Sequence, residues 1–324
     1  MKRALADGWS RDAIGHHIVR RNRISHCEQA GLVGSLGCAF STVAGNTIHD
    51  IHVRRRFGRA EMAALKFHGA IDVVIKGNHV FRSEMGIWPD WMAQGARVSG
   101  NLLHDNRFGD LHIEVNHGPY VIDNNLFLSP APSRVYNVSQ GGAYVHNLFG
   151  GSLLRFVANG KRSTPCHQPH ATEIVDIPAV VGGDDRFYNN LFVKTQLLVN
   201  YEKPMPSQFA GNVYLGVAKA HWAEERIPSV VPEYDAKAVR LEQKADGWYL
   251  ALTFDPAWVA ARRHSLVTSE LLGKAKVPNA TSENPDGSPL RVATDYHGKR
   301  RDESNPAPGP FENPGGGSLL VKVH

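Results

Sequence analysis

A chain of 324 residues with 31 Gly, 19 Pro and 42% hydrophobic residues has material for one long core and a smaller appendage. Its formal charge of +5 is spread thinly, with basic runs no longer than stretches such as Arg54–Arg56 and no aromatics alternating with them, so a nucleic-acid partner is not expected. The lack of any run of about 18 apolar residues argues against a membrane-spanning helix, and three cysteines, Cys27, Cys38 and Cys166, suit neither a disulfide framework nor a metal site.

Residues 1–15 are polar and contain no charged segment leading into an apolar core, so no signal peptide is read there. A solenoid phrase begins immediately afterwards, and fifteen residues are few for the cap such a fold needs. The expectation is an amino-terminal remnant of a longer protein. Localisation is then cytoplasmic if the chain is complete, and periplasmic or secreted if a leader has been lost.

From residue 16 to 221 one phrase recurs: an apolar residue, variable residues, an Asn and an apolar pair. It is found at Asn22, Asn46, Asn78, Asn101, Asn124, Asn147, Asn190 and Asn212, mostly about two dozen residues apart, with the Asn147–Asn190 gap close to two units. Short Val/Ile/Leu-rich runs between Gly, Asn and Asp read as strands and turns, three of each per unit. The expected fold is all-β, a right-handed parallel β-helix of at least six coils, with the Asn side chains stacked as an internal ladder.

Two segments within the repeat carry chemistry. In DLHIEVN, alternation turns Leu111, Ile113 and Val115 inward and Asp110, His112, Glu114 and Asn116 outward. In GIWPDW, Ile87, Pro89 and Trp91 face inward, and Trp88 and Asp90 outward. Asp90 and Glu114 are 24 residues apart, so both project from one sheet on adjacent coils, a mismatch of one in the repeat being absorbed at a bulge or turn. Strands about 4.8 Å apart put the carboxyl groups about 5 Å from each other, the spacing of a retaining glycosidase and short of the roughly 6.5–9.5 Å of an inverting one. Outward acids on a solenoid are by default solvated charges. Here Trp88 adds an outward indole as a platform for a sugar ring, and Glu61, Asn116, His117 and Gln140 add hydrogen-bonding groups from neighbouring coils, as in a carbohydrate subsite.

TPCHQPHATE at 164–173 interrupts the repeat as a loop expected to reach over the sheet, with His167 and His170 as substrate contacts; their three-residue spacing lacks a third metal ligand, and no metal or cofactor is expected. Asp184 and Asp185 in GGDD read as turn-capping residues. Residues 222–324 leave the register: 239–254 reads as two strands joined at Ala245–Gly247, 255–275 as partly helical, and the remainder as loop, together an extension that packs along the solenoid or closes its end.

The segments GIWPDWMAQGARVSGNLLHDN, DLHIEVNHGPYVIDNNLFLS and SQGGAYVHNLFGG together resemble the catalytic β-helix of glycoside hydrolase family 120, the β-xylosidases, over roughly residues 45–215. The resemblance implies a retaining, exo-acting β-xylosidase with Asp90 as nucleophile, Glu114 as acid/base and Glu61 on the sugar hydroxyls, acting on an oligosaccharide or glycoside. Two other classes stay open. A polysaccharide lyase would need a basic proton abstractor, for which Lys66 and Arg82 are the nearest candidates, and a carbohydrate-binding solenoid would need neither acid.

Overall fold

The computed structural model describes residues 6–324 apart from 57, 59, 60, 131, 132, 151, 152, 157, 158, 194–196, 200–204, 217, 219–228 and 262. Three long parallel sheets take up the chain from Ile18 to Val231, successive coils as far as Val199 giving one short strand to each, and the result is a right-handed parallel β-helix. The first sheet starts at Ile18–Arg20 and the second at Arg23–Ser25. The third contains Ala63–His68, Met85–Asp90, Gly109–Glu114 and Arg134–Val138 in adjacent positions. The parallel coils continue to Ser229–Val231, which pairs with Val213–Leu215.

The internal ladder links Asn22, Asn46, Asn78, Asn101, Asn125, Asn147, Asn190 and Asn212, each amide oxygen accepting from the backbone N–H and side-chain Nδ2 of the Asn one coil before. The rung in VIDNNLF is thus Asn125, not Asn124. Asn124 turns the corner at φ +57°, a conformation Asn tolerates, and its side chain reaches Asp123 and the carbonyl of Thr294. The gap from Asn147 to Asn190 is a single coil, because Ala143 pairs directly with Arg186 and Leu148 with Leu191. Its extra length is an excursion, the antiparallel pairs of Asn159–Ser163 with Ala179–Val180 and of Cys166–His167 with Ile174–Asp176. Inside the helix, identical positions stack: Tyr144, Phe187 and Phe209 lie with rings nearly parallel at 4.9 and 4.8 Å.

In the second sheet both faces are buried. Leu103, Phe127 and Phe149 point into the solenoid. Their neighbours Leu102, Leu126 and Leu148 point out, onto Leu250, Leu252, Phe254 and Trp258 of the carboxy-terminal region. That region is a three-stranded antiparallel sheet, Arg240–Lys244, Gly247–Phe254 and Gly317–Lys322, followed and bridged by two one-turn helices and long turns. It packs along the solenoid. The three cysteines are free thiols.

Alternation fails at Trp91. Expected inside, it is 41% exposed, because the strand ends at Asp90 and Trp91 sits in the turn at φ +47°. Ile87 and Pro89, within the strand, are buried as their phase requires.

Candidate active site

Asp90 and Glu114 are direct cross-strand partners in the third sheet. Between the second and third sheets the coil-to-coil offset grows by one, from Phe81 opposite His104 to Met85 opposite Gly109, so the one-residue mismatch is taken up at that corner. Neighbouring strands of a sheet lie about 4.8 Å apart, which puts the two side chains on one face within reach of a common ligand.

Asp90 is buried and unevenly held. Its Oδ2 accepts from Lys66 Nζ at 2.8 Å and lies 3.1 Å from His68 Nε2, whereas its Oδ1 is buried without a hydrogen-bond partner. Lys66 and His68 stand on Ala63–His68, the coil before, opposite Trp88 and Asp90. Glu61 completes this end, 3.2 Å from Lys66 Nζ and 3.9 Å from His68 Nε2. Lys66 is thus fixed between two carboxylates, as an ammonium held in place by opposite charge.

Glu114 is half-buried, its Oε1 accepting from Arg162 at 2.6 Å and its Oε2 from Trp88 Nε1 at 3.1 Å. Burial, reinforced by the charge of Asp90, raises its pKa above the ordinary carboxylate range, against the opposing pull of Arg162 and Lys66. The two acids therefore stand in different environments: one held at a single oxygen by Lys66 and His68, the other pushed toward its protonated form.

Trp88 is not a free platform. Lys66 Nζ lies 3.3 Å from its ring centre on one face, and His112 stacks on the other at 4.8 Å. What it offers is its edge, with the indole N–H on Glu114. Trp91 is the exposed aromatic beside the acids, 5.7 Å from His68 and 5.9 Å from the Arg162 guanidinium.

The other expected contacts gather around the excursion. The Asn116 amide is spent on backbone, accepting from Ala93 N at 2.7 Å and donating to the carbonyls of Pro89 and Glu114. His117 lies between Gln140 and Thr164, at 2.7 and 2.9 Å, and Gln140 Oε1 accepts from the N–H groups of Val181 and Gly182. His167 is braced through its backbone by Gln94 and through its ring by the carbonyl of Thr172, and His170 bridges Asp72 and Glu283. These residues tie the excursion down on the solenoid, and the side chain so delivered to Glu114 is Arg162. Nothing in the repeat points to Arg162, since it lies outside the periodic phrase. Lys66 and His68 had a signal: in AALKFH they share the outward phase and fall one coil before Trp88 and Asp90. Among the described residues, no group of three or more His, Cys, Asp or Glu is arranged to hold a metal ion.

No family model matches this chain, and no curated protein does. A solved structure, XylC in complex with xylose, superposes on it with a TM-score of 0.92 at 32% identity, covering 100% of this chain and 54% of the other. The chain is built on the XylC fold. It spans about half the length of XylC, and the likeness bears out a β-helix of the family-120 kind. A pectate lyase, Pel9A, shares 12% identity at a TM-score of 0.47 over 91% of this chain and 72% of its own, too distant to bear on the site.

Proposed function

We propose that this chain is a retaining glycoside hydrolase acting on β-xylosides, with Asp90 as nucleophile and Glu114 as acid/base. The reading rests on the in-register pair of Asp90 and Glu114, one anchored at Oδ2 by Lys66 and the other raised toward its acid form. The likeness to XylC, whose structure holds xylose, supports the sugar class. Lys66 and His68 hold Asp90 by Oδ2, leaving Oδ1 as the oxygen that attacks the anomeric carbon. Glu114 gives its proton to the departing oxygen; Trp88 and Arg162 then stabilise the carboxylate it becomes, which activates the water of the second step. Glu61 and His68 line the end nearest Asp90, where the sugar hydroxyls would lie. A lyase would need a free base, and Lys66 is committed to Asp90 and Glu61.

The test uses Glu114→Ala and Asp90→Ala on an aryl β-xyloside with a good leaving group. Glu114→Ala should still cleave it, with azide restoring turnover as β-xylosyl azide. Asp90→Ala should be inactive, azide giving at most the α-product. Proton NMR on the intact protein should show β-xylose released first; first release of the α-anomer overturns the mechanism.

A further inference from the structure

Beside Glu114 lies a cleft of about 470 Å³ that the sugar site does not use, within the range of small-molecule pockets. Met62, Met85, Phe108 and Tyr136 form its apolar walls, with the edge of Trp88 and the ring of His112 between them. Glu114 borders the cleft and Asp90 does not. A ring being attacked must touch the nucleophile, so whatever fills this cleft is bonded through the oxygen that the acid protonates.

His112 makes the cleft more than a gap between side chains. It is 7% exposed, stacked between Trp88 and Tyr136, and neither ring nitrogen has a hydrogen-bond partner. Burial, with the charges of Lys66 and Arg162, pushes its pKa down to about 3, so a neutral imidazole faces the cleft. A buried polar group left unmatched is costly, and it is matched when a ligand supplies the partner. Its Nε2 is 3.9 Å from Glu114 Oε2, so that partner sits next to the leaving oxygen. At the far end stands Glu84, held by Arg107, and the residues lining the cleft include no Lys or Arg, so an anionic ligand would find no charge there to pair with.

Building on the glycosidase reading, we propose that this cleft is a leaving-group subsite for an uncharged aromatic aglycone carrying a hydroxyl ortho to the glycosidic oxygen, with His112 as the residue that recognises the hydroxyl. Thioether and aromatic walls favour a flat aryl ring over a second sugar, whose hydroxyls they would leave unpaired.

Two measurements on the full chain separate this from the reading it rests on. Calorimetry with free catechol needs no turnover. Saturable binding is expected, lost in Met62→Trp, which fills the cleft, and weakened several-fold in His112→Phe, which keeps the ring stack; phenol and 4-hydroxybenzoate should bind more weakly than catechol. No saturable catechol binding by the native chain overturns the subsite even if xylosides are cleaved, while catechol binding without xyloside cleavage overturns only the glycosidase. In turnover, 2-hydroxyphenyl β-xyloside should show a KM several-fold below phenyl β-xyloside, and His112→Phe should erase that difference by raising the first KM alone. An unchanged ratio in His112→Phe, or a lower KM for xylobiose than for both aryl xylosides, overturns the assignment.

Discussion

Removing one rung of the Asn ladder tests whether the coil register that sets Asp90 opposite Glu114 depends on it. In Asn101→Ala the lost carboxamide oxygen had accepted from Asn78 N at 2.9 Å and Asn78 Nδ2 at 3.0 Å, and the lost Nδ2 had donated to the carbonyl of Ile75 at 3.0 Å and to Asn125 Oδ1 at 2.9 Å. Three of these four groups keep another partner: Asn78 Nδ2 still donates to the carbonyl of Val43, Asn125 Oδ1 still accepts from Asn101 N, and the Ile75 carbonyl stays in the parallel ladder between Val74–Lys76 and Arg97–Ser99. The fourth, the Asn78 N–H, is left buried, at about 1–3 kcal/mol. That is a sizeable part of the roughly 5–15 kcal/mol that holds a typical domain together. Asn22→Ala is the control: it is an exposed end rung, and in its absence Asn46 Oδ1 still accepts from the backbone N–H of residue 22, so its cost should stay within about 0.5 kcal/mol. Urea unfolding would be followed by circular dichroism and by tryptophan fluorescence together, because solenoids can melt in stages. Equal midpoints for Asn101→Ala and Asn22→Ala would refute the ladder as a source of stability.

Trp91→Ala should raise KM for xylosides several-fold while the melting temperature stays nearly unchanged, since the ring is largely exposed beside His68; a large loss of stability would return Trp91 to the core. Arg162→Met removes a charge that holds the pKa of Glu114 down, so the alkaline limb of kcat/KM should move to higher pH; Trp88→Phe, which keeps the stack and drops one hydrogen bond to the carboxylate, should move it the same way, and a shift to lower pH in either variant would contradict Glu114 as the acid. Burial works to lower the pKa of His170, but Glu283 and Asp72 prevail and hold it above its ordinary value, so its tether is fully in force below about pH 6.5 and lost as pH rises through the raised folded value. Hydrogen exchange at 164–173, corrected for intrinsic rates, should therefore quicken from pH 7 to 9, and constant protection would count against the tether.

A period of about two dozen residues and strict alternation within short apolar runs were enough to specify the solenoid, the third-sheet face and the pairing of Asp90 with Glu114, because stacked coils convert sequence period into spatial adjacency. Those same rules lose force where the chain leaves the strand. Asn124 and Trp91 turn corners at positive φ, where side-chain direction no longer follows a period of two, so the ladder rung fell one residue later and the indole faced outward. Ring stacking across coils, which sandwiches Trp88 between Lys66 and His112, depends on rotamers that alternation does not encode. Arg162 reaches Glu114 only because a non-periodic excursion is pinned by contacts as distant in sequence as His170 with Glu283. Period decides which residues share a face; tertiary packing decides which of them still have a free surface, a free lone pair or a neighbouring charge, and in this chain those properties separate the acids from the residues that support them.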